Sequence, residues 1–323
     1  MYIPITFLSS FLISYLSVPF INRFGIKFSL LDNPNFRKQH SKPFVRLGGV
    51  SIFFGFLIPI YLNLYLNSFS VQGFDNCINF LIFTFLFFVL GILEDFFQLS
   101  FLIKLVSQIA IASYGFSQGF KFNLFEISTL NLYTDSILYN FLTYFVTVIW
   151  IVGIVNAFNW VDGLDGLASG LVTITSLAFI FLLINGNYES TATILILLAF
   201  IASNFGFILH NFHPAKIFMG DGGSYFIGSV IAFLSLNKEV LSLSNYFSLN
   251  NLVGTILIIG LPLLDMVNVI FIRILQKKSP FYPDRSHFHH KLIDFGLNHK
   301  QSTLVCYVIQ IILLFFGFQI LDS

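Results

Sequence analysis

Residues 138–185 read LYNFLTYFVTVIWIVGIVNAFNWVDGLDGLASGLVTITSLAFIFLLIN, which is two apolar runs, 138–155 and 166–185, joined by a short polar segment. Each run is close to the roughly 20 apolar residues that a helix needs to cross a bilayer. The residues between them carry Asn and Asp side chains together with glycine. This stretch therefore predicts two membrane-spanning helices that meet at a polar turn on one membrane face.

The rest of the chain extends this pattern. Of 323 residues, 56% are hydrophobic and 10% are charged, whereas a soluble domain averages about 25% charged residues. A water-soluble globule is thereby excluded, and we predict an all-α, polytopic integral membrane protein that forms a single domain over 1–323. The ten apolar runs that we take as transmembrane helices are 2–19, 47–68, 78–93, 101–116, 138–155, 166–185, 191–209, 223–237, 250–272 and 302–320.

The polar residues alternate between the two sides predicted by these spans. Loops after odd-numbered spans hold 13 of the 16 Lys and Arg residues and all seven histidines. By the positive-inside rule these loops are cytoplasmic, which puts both termini outside. The first span has no Lys or Arg before it and no small-residue cleavage site after it, so we expect a retained helix. The five cytoplasmic loops are 20–46, 94–100, 156–165, 210–222 and 273–301.

Two function classes are compatible with this composition. A transporter would place ionisable residues near the bilayer midplane, where Asp265 is the clear case. The gathering of histidines and acids at one face instead favours chemistry between a cytosolic reagent and a lipid head group. The net charge of +1 gives no basis for nucleic-acid binding, and the two distant cysteines, Cys77 and Cys306, suggest neither a disulfide framework nor a metal site.

The first two loops each allow two interpretations. Arg37, Lys38 and His40 precede the pair Gly48-Gly49, which is typical either of a phosphate-binding turn or of a basic stretch touching anionic lipids. Glu94 and Asp95 are adjacent acids followed by Lys104. Such a pair either faces water or needs a cation to offset its repulsion.

The next two loops favour a metal and a nucleotide. Asn156, Asn159, Asp162 and Asp165 recur every three residues, so a helical turn presents them on one side. Oxygen ligands beside glycines suit magnesium, although helix capping explains one or two of them. Asp221 opens a later helix within Met219-Gly-Asp-Gly-Gly-Ser224, where it is either a cap or part of a phosphate site.

The last loop is the most specific of the five. It reads Pro283-Asp-Arg285-Ser-His287-Phe-His289-His290. Zinc binding would need an acid or Cys at the usual spacing, and none completes a tetrahedral set. Histidines and Arg285 acting as donors to a pyrophosphate fit better.

With these motifs in order from Asp32 to about Gly296, the chain resembles the polyprenyl-phosphate N-acetylhexosamine-1-phosphate transferase family. The last loop is similar to the N-acetylhexosamine branch rather than to the phospho-MurNAc-pentapeptide transferases, whose loop reads His-His-His-Phe-Glu. The pair Glu94-Asp95 departs from the two aspartates usual in the family. The pentapeptide transferase and an anion transporter remain the alternatives.

The resemblance implies that a UDP-N-acetylhexosamine, with UDP-GlcNAc as the commonest donor, gives its sugar-1-phosphate to undecaprenyl phosphate in the bacterial inner membrane. The product would start a cell-envelope polysaccharide such as O-antigen, common antigen or a teichoic-acid linkage. The implied cofactor is Mg²⁺, for which Mn²⁺ could substitute, and both a monomer and a homodimer stay open. The implied metal ligands are Asn159 and Asp221.

The resemblance also implies roles for the remaining site residues. Asp95, supported by Glu94, would orient or deprotonate the lipid phosphate, and Asp162 would lie beside the metal on the nucleotide side. Cationic groups that would neutralise phosphate oxygens are Lys104, Arg285, His287 and His289. Further substrate-binding residues are Arg37, Lys38, His40, Asn156, Asp165 and His290.

Overall fold

The computed structural model describes residues 2–32, 43–66, 77–122, 137–186, 191–237, 240, 248–281 and 285–321. Within these ranges it contains twelve α-helices and two short strands, so the prediction of an all-α fold is confirmed. The elements are α1 (Tyr2–Lys27), β1 (Leu31–Asp32), β2 (Phe44–Val45), α2 (Gly49–Leu66), α3 (Cys77–Phe97), α4 (Phe101–Ser117), α5 (Ile137–Val161), α6 (Leu167–Asn185), α7 (Thr191–Asn211), α8 (Gly220–Ser235), α9 (Leu249–Ile259), α10 (Leu261–Leu275), α11 (Phe288–Asp294) and α12 (His299–Leu321).

Among the described helices, six are long and apolar enough to cross a membrane, namely α1, α3, α5, α6, α7 and α12. A seventh span results if α9 and α10 count as one. Each of the ten predicted apolar runs contains a helix, but α2 and α4 are shorter apolar helices and α8 has only 16 residues. The chain is thus a multi-pass membrane protein, while the predicted count of ten spans is not confirmed.

The ninth apolar run is broken rather than continuous. The axes of α9 and α10 meet at 97° around Gly260, whose φ of +71° suits a residue without a Cβ atom. Gln310 on α12 satisfies the backbone groups that the break releases: its Oε1 accepts from the Leu261 N–H at 2.8 Å, and its Nε2 donates to the Ile258 carbonyl at 2.9 Å. This side chain explains how irregular backbone is stable inside an apolar bundle.

Helix α8 lies at the centre of the bundle. All but one of its residues are buried, against α2, α3, α5 and α6. Phenylalanines fill the space around it, with Phe53, Phe56 and Phe200 all packing on Phe226. Helices α1 and α12 instead leave most of their apolar surface exposed, as expected of helices that face lipid tails.

The segment after α1 is attached to the start of α8 by backbone hydrogen bonds. Strands β1 and β2 pair antiparallel, with Leu31 opposite Val45. The Phe218 N–H donates to the Val45 carbonyl, the Gly48 N–H to the Phe218 carbonyl and the Gly49 N–H to the Met219 carbonyl, at 2.7–2.9 Å. Arg46 is consequently held beside the first turn of α8.

Candidate active site

Glycines allow α2, α3 and the Arg46 backbone to pack closely on the first turn of α8. A Cβ atom on Gly91 of α3 would overlap the Asp221 carbonyl group, and one on Gly49 of α2 would overlap the backbone of Gly223. Gly220 has a φ of +78° and lies against the Arg46 carbonyl. Backbone therefore packs directly on backbone at this point, which brings the side chains of the separate loops within reach of one another.

Asp95 caps α8 from the neighbouring helix. Its Oδ1 accepts from the Asp221 N–H at 3.0 Å and its Oδ2 from the Gly222 N–H at 2.9 Å. A carboxylate at this position satisfies two N–H groups that lack intrahelical partners and interacts favourably with the helix dipole. The side chain is 3% exposed, so in this geometry Asp95 orients α8 and does not face open space.

Asp221 projects from the capped turn towards α5. Its Oδ1 accepts from Asn159 Nδ2 at 2.7 Å, and the same amide nitrogen lies 2.9 Å from Ser224 Oγ. Arg46 Nη2 lies 3.5 Å from Asp221 Oδ1 and 3.7 Å from Asp95 Oδ1. The two residues predicted as metal ligands, Asn159 and Asp221, are therefore in direct contact.

Among the residues that the structure describes, negative charge exceeds positive charge at this point. Burial, opposed by Arg46 and reinforced by Asp221 and Asp95, raises the pKa of Asp162 to about 7. Burial disfavours the Arg46 charge, but Asp221, Asp95 and nearby carboxylates outweigh it and raise the pKa of the guanidinium. Among the described residues, Asp32, Asp95, Asp162 and Asp221 share one cation, Arg46, and a further cation would lower their mutual repulsion.

The donor set fits a magnesium ion. Among the described residues, Asn159 Oδ1 and Asp221 Oδ2 receive no hydrogen bond, since Asn159 acts through Nδ2 and Asp221 through Oδ1. No three His, Cys, Asp or Glu side chains within the described ranges are arranged to hold a metal alone. Magnesium is usually bound through one or two protein carboxylates, with water and substrate phosphates completing an octahedron, so a two-oxygen protein set is sufficient.

The adjacent acids Glu94 and Asp95 point to different partners. Glu94 Oε1 lies 3.0 Å from Lys104 Nζ, and its Oε2 accepts from the Leu99 N–H at 2.7 Å. Glu94 therefore holds Lys104 in place, whereas Asp95 caps α8.

Asn156 Nδ2 donates to Gln108 Oε1 at 2.7 Å, which links α5 to α4.

A cavity of about 670 Å³ lies between α4, α5 and α10. Its polar end is formed by side chains from α4, α5, α10 and the segment before α11: Lys104, Gln108, Asn156, Asn159, Arg273 and His287. Its other walls are apolar and aromatic, from Ile109, Tyr144, Phe145, Val148, Ile149 and Val152. Since Asn159 both lines this cavity and contacts Asp221, the acidic cluster lies directly behind the polar end.

The histidines of the last loop occupy different environments. His287 lines the cavity and its Nδ1 lies 2.8 Å from Asp265 Oδ2. His289 is 2% exposed, packs on Gly163, and both its ring nitrogens lack a hydrogen-bond partner among the described residues. Burial and the neighbouring histidines lower its pKa well below the ordinary value, so His289 is neutral here.

His290 and Arg285 do not line the cavity. Burial, His287 and Arg285 lower the pKa of His290 to about 4 despite nearby acids. Arg285 is more than half exposed and pairs with Asp294 at 3.1 Å. In this geometry neither residue offers a positive charge to a ligand in the cavity.

The remaining predicted residues divide into two groups. Asp165 Oδ2 accepts from the Ala215 N–H at 3.0 Å and lies 2.8 Å from His213 Nδ1, so it joins the turn before α6 to the segment after α7. Arg37, Lys38 and His40 lie outside the described residues, and their predicted role in substrate binding stays a prediction.

Sequence reasoning missed several side chains that the fold brings to the site. In the sequence, nothing distinguishes Arg46 and Arg273 from the other basic residues. Trp160, which lies under the Arg273 guanidinium at 5.1 Å, reads as an ordinary apolar residue. Asp265 was noticed as an acid within a span, but its partner His287 is 22 positions away and no spacing rule connects them.

The fold and the site together define a polytopic membrane protein with a cluster of carboxylates that could bind a cation. This cluster lies at the polar end of a cavity whose other walls are apolar. A sequence model described as "Glycosyl transferase family 4" matches residues 77–238. The chain belongs to this family.

Curated proteins with similar sequences match nearly the whole chain. The "Probable undecaprenyl-phosphate N-acetylglucosaminyl 1-phosphate transferase" of Bacillus subtilis (strain 168) is 38% identical over 312 residues, covering 95% of this chain and 82% of that protein. The undecaprenyl-phosphate alpha-N-acetylglucosaminyl 1-phosphate transferase of Thermotoga maritima is 34% identical, covering 88% and 78%. The Escherichia coli (strain K12) protein of the same name is 30% identical, covering 91% and 77%.

Proposed function

We propose that this protein transfers N-acetylglucosamine-1-phosphate from UDP-GlcNAc to undecaprenyl phosphate and releases UMP. The observation that carries the proposal is the cavity, which is apolar along most of its length and ends in Lys104, Arg273 and His287. This is the chemistry needed to hold an isoprenoid chain by its tail and its phosphate by cations. The names of the relatives identify the same class of acceptor and the same transferred group.

The reaction exchanges one phosphoanhydride bond for another. An oxygen of the lipid phosphate attacks the β-phosphorus of UDP-GlcNAc, a new P–O–P bond forms, and the bond to the α-phosphate breaks so that UMP leaves with its electron pair. A phosphate monoester has a second pKa near ~6, so the nucleophile is already largely deprotonated at neutral pH. A strong general base is not the main requirement.

The protein must instead bring two anions together. Lys104, held by Glu94 at 3.0 Å, and His287 provide donors at the polar end of the cavity, where they can neutralise phosphate oxygens. Asn156 is fixed by Gln108 at the same end. Positioning and charge neutralisation of this kind supply most of the rate enhancement in phosphoryl transfer.

Asn159 and Asp221 would hold a magnesium ion, for which manganese could substitute. When bound, this ion would act as a Lewis acid on the phosphate oxygens of the donor. Arg46 limits the repulsion between Asp95, Asp162 and Asp221, and Asp95 keeps the first turn of α8 in place. The side-chain oxygens of Asn159 and Asp221 would therefore be held in position before the ion binds.

We propose that the site faces the cytoplasm of a bacterium, where UDP-sugars are made. Support comes from the Lys and Arg excess in the loops that carry the site residues. We further propose that the product starts the synthesis of a cell-envelope polysaccharide.

One assay tests this function. Purified protein in detergent is mixed with UDP-GlcNAc and undecaprenyl phosphate, and UMP is measured with magnesium and with EDTA. We expect UMP only when both substrates and the metal are present. UMP formation that does not depend on the lipid phosphate, or no UMP at all, would contradict the proposal. Adding UDP-MurNAc-pentapeptide as a competing donor should leave the rate unchanged.

The pKa of Asp162 predicts a pH dependence of magnesium binding. With a pKa of about 7, Asp162 is mostly protonated at pH 6 and mostly ionised at pH 8. A bound cation favours the ionised form, so magnesium must displace a proton at the lower pH. We expect the magnesium concentration for half-maximal UMP release to fall by about tenfold from pH 6 to pH 8.

Asp162→Asn tests the assignment of this pH dependence. The amide cannot titrate, so the magnesium requirement of the variant should change less between pH 6 and pH 8 than that of the wild type. A wild-type requirement that is equal at pH 6 and pH 8 would show that Asp162 is not linked to the metal.

A further inference from the structure

Asp265 and His287 form a buried acid–histidine pair at the edge of the cavity. Asp265 is 5% exposed and His287 is 8% exposed. Asp265 lies on α10 five residues after the break at Gly260, and His287 immediately precedes α11. The break therefore turns this part of α10 towards the last loop and places the carboxylate 2.8 Å from His287 Nδ1.

The contacts of the pair determine which ring nitrogen can meet a ligand. An ionised carboxylate only accepts hydrogen bonds, so His287 Nδ1 must carry the proton that it shares with Asp265. His287 lines the cavity, and Nε2 is the nitrogen left for a bound molecule. The Trp160 ring packs edge-on against the His287 ring, with 5.8 Å between centroids, and the His289 ring stacks on it, with 5.5 Å between centroids. These contacts also fix the orientation of the His287 ring.

We propose that Asp265 is a positioning residue for the transfer reaction: it holds His287 so that Nε2 faces a substrate phosphate oxygen. This inference rests on the proposed function. In the doubly protonated imidazolium form both ring nitrogens are donors, so Nε2 can donate to that oxygen while Nδ1 donates to Asp265. Asp265 itself does not touch substrate in this arrangement.

A merely structural role for Asp265 makes different predictions. Its Oδ1 accepts from the Phe288 N–H at 2.8 Å and so caps α11 in addition to holding His287. Asp265→Asn separates these two tasks. The amide keeps a carbonyl oxygen for the Phe288 N–H, but it loses the charge and cannot accept at both oxygens.

The test is a double-mutant cycle on UMP release with Asp265→Asn and His287→Gln. We expect Asp265→Asn to lower kcat by about 10- to 100-fold, by analogy with metal-ligating histidines that lose the carboxylate partner orienting the ring. In the His287→Gln background the same change should have less than about a threefold effect, because the ring that it positions is gone. The melting midpoint of Asp265→Asn should stay close to that of the wild type.

A matched pair at Phe288 isolates the capping role. Phe288→Ala keeps the backbone N–H and Phe288→Pro removes it, and proline is tolerated at the first position of a helix. His287 has φ of −61° and ψ of 147°, which is compatible with a following proline. We expect the two variants to have equal kcat, whereas a capping role predicts that only Phe288→Pro loses activity. This pair gives an answer even if Asp265→Asn fails to fold.

The outcomes separate the two proposals. A wild-type protein that releases no UMP overturns the proposed function, and the positioning role with it. Wild-type turnover with an unaffected Asp265→Asn variant, or with effects of Asp265→Asn and His287→Gln that multiply independently, overturns the positioning role alone. Equal loss in Phe288→Pro and Asp265→Asn would likewise assign Asp265 to capping.

Discussion

Replacing Asp221 by alanine is expected to reduce UMP release by about a thousandfold. The side chain supplies one of two oxygens proposed to hold magnesium, and its contact with Asn159 at 2.7 Å fixes the other. Loss of the bound ion would remove several kcal/mol of transition-state stabilisation, and about 4 kcal/mol corresponds to this factor. The measurement is kcat/KM for UMP release at saturating magnesium.

Two comparisons show whether the loss belongs to the metal. Asp294→Ala removes an exposed carboxylate from α11 and should retain near wild-type turnover. Asp95→Asn should lose less activity than Asp221→Ala, because the lipid phosphate needs little deprotonation and the amide can still accept one backbone N–H. An Asp221→Ala variant with near wild-type activity would remove the metal assignment.

Replacing Gly91 by alanine is expected to reduce activity by about a hundredfold. The new Cβ atom would overlap the Asp221 carbonyl group and lie 2.6 Å from Gly222 Cα. Both are backbone atoms, so the first turn of α8 must move to accommodate it. A displacement of about 1 Å at a catalytic group can lower the rate by 10²-fold, and overpacking destabilises by about 1–3 kcal/mol.

Gly119→Ala separates misplacement of the site from general loss of stability. Gly119 follows α4, at the end away from Lys104, and has a φ of +92°, and no atom of the described residues lies within 4 Å of the position of an added Cβ. The substitution therefore adds backbone strain of about 1–2 kcal/mol without steric overlap at the site. We expect Gly119→Ala to melt at a lower temperature but to turn over normally. Equal turnover of Gly91→Ala and Gly119→Ala would show that the close contact of α3 with α8 is not needed for activity.

The apolar runs of the sequence were sufficient to predict the class of fold. Long stretches without charge, such as 166–185, have no stable alternative to a helix in lipid. The break within 250–272 was not predicted, since hydropathy is uniform across Gly260 and Pro262 is compatible with the start of a helix. The bend depends on Gln310, which lies 49 positions beyond Leu261 and satisfies the open backbone groups.

The acidic part of the site was predicted better than the histidine part. Asn159 and Asp221 meet because a spacing of three places Asn156 and Asn159 on one side of α5, and because glycines admit α8 beside them. For the histidines, the direction of each side chain determines whether it reaches the cavity. His289 is two residues from His287, yet it turns away from the cavity and is buried against Gly163.

Contacts with other parts of the protein, and not charge alone, decide which basic residues lie near the site. Arg285 has the right chemistry for a phosphate but pairs with Asp294 on the surface. Arg46 became important because β2 and the backbone bonds to Phe218 and Met219 hold it against α8. The placement of Arg46 cannot be read from a single sequence, because it depends on a contact between segments far apart in the chain. Arg285 instead pairs locally, with a residue nine positions later.

The most direct test of the central claim follows the β-phosphate of the donor. UDP-GlcNAc labelled with ³²P at the β-phosphate is incubated with the protein, undecaprenyl phosphate and magnesium, and the label is followed into lipid and nucleotide fractions. Phosphosugar transfer predicts that the label enters the lipid in step with unlabelled UMP. Label that stays in water-soluble UDP while the sugar enters the lipid, or label that never leaves UDP-GlcNAc, would contradict the account.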